Sequence, residues 1–85
     1  MRVSVVLGDD HPLVRQGVRR LLEQQEFDVL GEGSNGLEVV ALAEQFRPDV
    51  ILLDLSMPLL NGIGAVRELA RVSPSTKVKI GRAHV

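Results

Sequence analysis

Apolar residues fall along the chain in two alternating rhythms. Val3-Ser4-Val5-Val6-Leu7-Gly8 and Val50-Ile51-Leu52-Leu53 are short, nearly unbroken aliphatic runs. A run of that length without polar alternation predicts a strand buried on both faces of a parallel sheet. Between them the rhythm changes to the 3.6-residue period. Leu13, Val14, Val18, Leu21 and Leu22 share one face and Arg15, Arg19, Arg20 and Glu23 the other, which predicts an amphipathic helix over residues 13 to about 25. Pro12 suits its first turn, because the N–H that proline lacks would be unpaired there anyway. Gly17 costs helix propensity and reads as a point of close approach to the sheet. Residues 28–32 predict a shorter, weaker strand, and Gly33-Ser34-Asn35-Gly36 a turn. A second helix is expected over 37–46, with Val39, Leu42, Ala43 and Phe46 on one stripe. Arg47-Pro48 ends it, since the residue before proline resists the helical region. Asn61 is placed to cap a third helix over 62–71 whose inward face is Ile63, Val66, Leu69 and Ala70. Ser73-Pro74-Ser75 is a loop, and residues 76–80 begin a fourth strand.

The order β-α-β-α-β-α-β implies an α/β fold: a doubly wound parallel sheet with helices on both faces and right-handed crossovers. The first strand runs into Asp9-Asp10 and the third into Asp54. In a sheet of order 2-1-3-4 those strands are neighbours. Their aspartates then meet at the carboxyl edge, where open sheets of this kind bind ligands.

Composition narrows the class. The chain has 85 residues, 45% hydrophobic and 2% aromatic, which fits one small domain with an aliphatic core. Ten basic and eleven acidic residues leave a net charge of −1, with no basic run or aromatic platform for nucleic acid. There is no cysteine, which excludes disulfides and thiolate metal sites. No apolar stretch approaches a membrane span, and the N-terminus lacks the order of a signal peptide, so a cytoplasmic protein is expected.

Three carboxylates brought within a few ångströms repel one another, so some stay protonated or a cation neutralises them. Oxygen ligands without a His/Cys set favour Mg²⁺ over zinc. Mg²⁺ held by one or two carboxylates is the usual arrangement for handling a phosphoryl group, and an aspartate can accept that group as an acyl phosphate. The plainer alternative is an acidic loop edge solvated by water.

Val5-Val6-Leu7-Gly8-Asp9-Asp10-His11-Pro12-Leu13-Val14-Arg15, with Pro48-Asp49-Val50-Ile51-Leu52-Leu53-Asp54-Leu55-Ser56-Met57-Pro58 and Asn61-Gly62, resembles the receiver domain of bacterial two-component response regulators. The pattern is most similar to the subfamily with a C-terminal helix-turn-helix DNA-binding domain, and it covers residues 2 to 80. The resemblance implies a flavodoxin-like fold. It implies that Asp54 is the phosphoacceptor, Asp10 a direct Mg²⁺ ligand, and Asp9 an acidic neighbour acting largely through water. Ser56 matches the position whose backbone carbonyl completes the metal site, and Met57-Pro58 shapes the following loop. His11 reads as a helix-start residue without catalytic duty, and Arg15, Arg19 and Arg20 as a solvated helix face. The implied partner is a sensor histidine kinase, with DNA reached only through an absent output domain. No membrane partner is implied, and the intact protein is a possible dimer.

The chain departs from that family toward its end. The fifth strand with its lysine, the Ser/Thr ending the fourth strand, and the last two helices have no counterpart, so residues 1–80 read as the N-terminal part of a receiver. Lys77 and Lys79 lie too early in a different strand to replace that lysine. Ile80-Gly81-Arg82-Ala83-His84-Val85 back-translates to ATCGGAAGAGCACACGTC, which looks like a sequencing adapter read in frame. Residues 80–85 are therefore expected to be a non-native tail; a genuine stop codon after Val85 at the source locus would contradict this. Two other readings compete. One is a small Mg²⁺-dependent phosphohydrolase with an aspartyl nucleophile, disfavoured because the nucleophile-like aspartate ends the third strand and nothing nearby offers a general acid. The other is an inactive fragment or interaction module that keeps only the fold.

Overall fold

The computed structural model describes residues 2–54 and 62–81, and for Gly62 and Ile63 the backbone only. Four strands and three helices alternate: β1 (Ser4–Gly8), α1 (Pro12–Gln24), β2 (Asp28–Gly33), α2 (Gly36–Phe46), β3 (Val50–Asp54), α3 (Gly62–Val72) and β4 (Lys77–Gly81). The strands form one parallel sheet, as the alternation predicts, in the order β2-β1-β3-β4 that the flavodoxin-like resemblance implies. β1 and β3 are neighbours, with Val5 opposite Val50 and Gly8 opposite Leu53. Their carboxyl ends therefore open at the same edge. Ile80 and Gly81 lie within β4, opposite Leu53 and Asp54. The rest of the expected tail, 82–85, and Asn61 lie outside the described residues. No described helix is long and apolar enough to cross a membrane.

The two faces of the sheet are covered unequally. On one, α2 and α3 close over Val6, Ile51 and Leu53, burying Val39, Ala43, Ala65, Leu69 and Val72 with them. On the other, among the described residues, α1 alone covers Val5, Leu7 and Val29, with Val18, Leu22 and Phe27 partly buried against them. α1 has no fully buried residue. This corrects the expected inward stripe: Leu13 is 84% and Leu21 61% exposed. One helix alone leaves the flanks of its apolar face uncovered. Gly17 is corrected too, because a side chain there would meet nothing within 4 Å. In α3 the buried positions are Ala65, Leu69 and Val72, while Ala70 is exposed. Phe46 is 41% exposed, since α2 ends there and the chain turns away through Arg47 in the left-handed region.

Helix starts and strand ends are set by local polar contacts. Asn35 caps α2 by accepting the Glu38 N–H at 2.9 Å. Glu38 reaches back to accept the Ser34 N–H and hydroxyl, at 2.7 and 2.8 Å. These bonds hold the Glu38 carboxyl below the usual carboxylate range. At the opposite edge the Asp49 carboxylate accepts the Ser4 N–H (2.9 Å), and Ser4 Oγ accepts the Asp49 N–H (2.8 Å), clamping β1 to the start of β3.

Candidate functional site

β1 ends at Gly8 and the chain turns through Asp9 and Asp10 into α1. The Asp9 N–H donates to the Gly33 carbonyl at 3.0 Å, tying the turn to the end of β2. Asp9 Oδ1 accepts the His11 N–H at 2.7 Å, an aspartate closing a turn on the backbone two residues ahead. His11 is the extended N-cap of α1 and makes no side-chain cap bond; Pro12 follows at the first helical position. With its backbone fixed there, the His11 ring is directed at the carboxylates instead.

Asp54 is the last residue of β3, and its side chain is 5% exposed. Asp9, Asp10, His11 and Asp54 each present one ligand atom, and these atoms all lie within 4.8 Å of one another. The structure thus brings together the three aspartates expected at this edge. It adds His11, whose Nδ1 lies 3.1 Å from Asp9 Oδ1, 3.0 Å from Asp10 Oδ1 and 3.7 Å from Asp54 Oδ2. The hydrogen bond to Asp9 and the charge of Asp10 hold the imidazole above its usual pKa. When protonated, the ring offsets part of the crowded negative charge. The α1 N-cap thus places the His11 ring over the strand ends, beside the carboxylates. Ser56 and Met57-Pro58 lie outside the described residues.

A Mg²⁺ site requires hard oxygen donors with unused acceptor capacity. Asp10 Oδ1 is buried and, among the described residues, has no hydrogen-bond partner, since His11 Nδ1 at 3.0 Å is outside hydrogen-bond geometry. Asp9 Oδ1, by contrast, is engaged by the His11 backbone and ring. The donor set fits a divalent oxygen-seeking cation, with Asp10 the freer of the acidic pair.

Two arginines expected on a solvated face are committed instead. Arg15 Nε donates to Glu32 Oε1 at 2.8 Å, and its Nη1 donates to the Asp9 carbonyl at 2.8 Å. Arg19 donates to Glu32 Oε2 and, at 3.2 Å, to Glu23 Oε2. Burial raises the Glu32 carboxyl, but its bonds to Arg19 and Arg15 outweigh that and hold it below the usual range. A cavity of about 260 Å³ opens on the α1 face, lined by Leu7, Val18, Leu52 and Ile80 and by Asp9, Asp54, Arg15 and Lys79.

Comparison with known proteins gives the family and the fold. The family described as the response regulator receiver domain matches residues 5–84. The transcriptional regulatory protein DegU of Brevibacillus brevis is 42% identical over 84 residues, covering 98% of this chain and 36% of DegU. The nitrate/nitrite response regulator protein NarL of Escherichia coli K12 is 41% identical over 78 residues, covering 91% of this chain and 36% of NarL. This chain therefore spans about a third of the length of those relatives. Among solved structures, the signal receiver domain of the response regulator NarL from Mycobacterium tuberculosis superposes with a TM-score of 0.89 at 38% identity, over 99% of this chain and 68% of that one.

Proposed function

The chain belongs to the response regulator receiver domain family, and from that membership we propose that it is the phosphoacceptor module of a two-component phosphorelay. The observation that carries this reading is the convergence of Asp9, Asp10 and Asp54 from two adjacent strand ends within 4.8 Å. Asp54 is the acceptor, held at the end of a central strand with its side chain almost fully buried. Its carboxylate oxygen attacks the phosphorus of a phosphohistidine on a sensor histidine kinase. The new O–P bond forms as the P–N bond breaks, and the histidine leaves. Asp10 and Asp54 would hold Mg²⁺ directly, Asp9 through water, and the backbone carbonyl of Ser56 would complete the set. When bound, Mg²⁺ offsets the negative charge shared by the acceptor and the phosphoryl oxygens. Asp9 also orders the start of α1 through the His11 N–H, so the acidic pair divides the work between ligand and scaffold.

The domain accepts a group rather than turning over a substrate. Its output is transcriptional, through a DNA-binding domain outside this chain and dimerisation of the intact protein. The description of DegU as a transcriptional regulatory protein supports this. Incubation of the full-length protein with acetyl phosphate and Mg²⁺ is expected to add one phosphoryl group to wild type and none to Asp54→Asn, read by intact mass and peptide mapping. Equal labelling of both would refute the assignment. The His11 ring, with Nδ1 3.7 Å from Asp54 Oδ2, makes a phosphomonoester assay the natural control. Multiple turnovers there would favour a phosphohydrolase instead.

A further inference from the structure

We propose that Arg15 is a positioning residue of the acidic site, holding the Asp9 main chain in register while Glu32 cancels its charge. The inference rests on the metal-binding reading above. Arg15 lies in the first turn of α1 and its side chain points back toward the helix start, as long helical side chains do. One arm of its guanidinium holds the Asp9 carbonyl at 2.8 Å and another edge holds Glu32 at 2.8 Å. Glu32 stands in β2 opposite Leu7 of β1, and its second oxygen is taken by Arg19. The Asp9 N–H is bound to β2 as well, through the Gly33 carbonyl. The peptide groups on both sides of Asp9 are thus anchored to one strand, one of them through Arg15. A planar guanidinium fixes both directions at once; a lysine ammonium does not. The arginine and glutamate side chains are 21% and 22% exposed, sheltered enough for the pairing to persist.

Three roles for Arg15 predict different signs. If it acted only through its charge, Arg15→Gln would remove a cation near the carboxylates and tighten Mg²⁺ binding. A residue needed only for folding would lower Tm and leave the affinity of the folded protein unchanged. Positioning predicts weaker binding despite the lost positive charge, by about tenfold, the usual scale for outer-shell partners of a metal site. Arg15→Lys restores the charge but not the fork, and so does not restore the affinity.

The test uses the full-length protein. Mg²⁺ titration by calorimetry compares wild type, Arg15→Gln and Arg15→Lys at a temperature where all are folded. Amide exchange of His11, which donates to Asp9 Oδ1, is measured without metal and is expected to rise about tenfold in both variants. Unchanged exchange overturns the proposal, as does unchanged or tighter Mg²⁺ binding. Faster exchange with unchanged affinity overturns it too, since Arg15 would then serve folding alone. A wild type that binds no Mg²⁺ sinks the metal reading of the site. The exchange rates on metal-free protein then decide separately whether Arg15 holds the Asp9 turn.

Discussion

Gly33→Ala separates a glycine required by packing from one that is merely tolerated. A Cβ at Gly33 would stand 2.9 Å from Val39 Cγ2, 3.0 Å from the Val39 backbone nitrogen and 3.2 Å from Glu38 Cβ. Val39 is fully buried, and its nitrogen belongs to the first turns of α2, so neither can step aside cheaply. Overpacking of this kind costs about 1–3 kcal/mol. Removing a glycine from the unfolded chain returns about 0.4–1 kcal/mol. The net expectation is about 1–2 kcal/mol of destabilisation, a fall of roughly 5–15 °C in the Tm of a domain this size. Gly17→Ala is the control. It lies in an exposed helix with nothing within 4 Å of the added carbon, so it is expected to gain about 0.5–1 kcal/mol. Thermal unfolding followed by far-ultraviolet circular dichroism measures both. A Gly33→Ala protein melting at or above wild type would refute the packing argument. Because the Gly33 carbonyl also accepts the Asp9 N–H, slower labelling of Asp54 is expected to accompany the lower Tm.

Three further outcomes are expected. The Asp49 carboxyl is held below its usual pKa by the Ser4 N–H and then the Ser4 hydroxyl, and Glu32 is held low, against its burial, by Arg19 and Arg15. A carboxyl depressed in the folded state adds stability above its unfolded pKa and loses it as pH falls through the folded one. Denaturation midpoints are therefore expected to drop below about pH 4, less steeply in Asp49→Asn; parallel profiles would refute this. Asp10→Ala is expected to weaken Mg²⁺ binding more than Asp9→Ala, because Asp10 Oδ1 is the oxygen without a hydrogen-bond partner; calorimetry giving the reverse order would exchange their roles. Residues 1–85 expressed alone are expected to aggregate and not to signal, since among the described residues one sheet face has only α1 over it and β4 is the last strand of the sheet; a monomer with a sharp cooperative transition would disprove that.

What could be read in advance followed from local signals. The strands announced themselves as aliphatic runs, and an aspartate directly after two of them placed the site once the strand order was inferred. The capping of α2 was equally local: Asn35 three residues before Glu38 is a helix-start signature, though the segment reads as a plain turn. The 3.6 period identifies which side of α1 is apolar but not how much of it a neighbour covers, so Leu13 and Leu21 were expected inside and are outside. Glycine identity alone does not distinguish Gly17, which touches nothing, from Gly33, which has no room to spare. The Arg15–Glu32 pair spans 17 residues and two elements, and no pattern along the chain links them. His11 likewise depends on where an N-cap turns a ring, a matter of backbone geometry rather than of residue type.

The unequal cover of the sheet bears on the chemistry of the site. Asp54 ends a strand backed by α2 and α3, where Ile51, Leu53, Val39 and Leu69 are almost fully buried. Asp9, Asp10 and His11 introduce α1, which buries no residue completely and is held by half-buried Val18 and Leu22 together with Arg15 and Arg19 on Glu32. Local stability follows buried apolar contact, so Asp54 sits on the firm side of the site and Asp10 and His11 on the less buried side. That division suits a site whose charge changes. On the proposed function, a firmly held Asp54 would keep its oxygen in line with an incoming phosphorus, while the less buried Asp10 would adjust to a cation at small cost. It also explains why the less buried side needs a polar tie. With little apolar burial to fix α1, the Arg15 fork supplies the direction that packing supplies for Asp54.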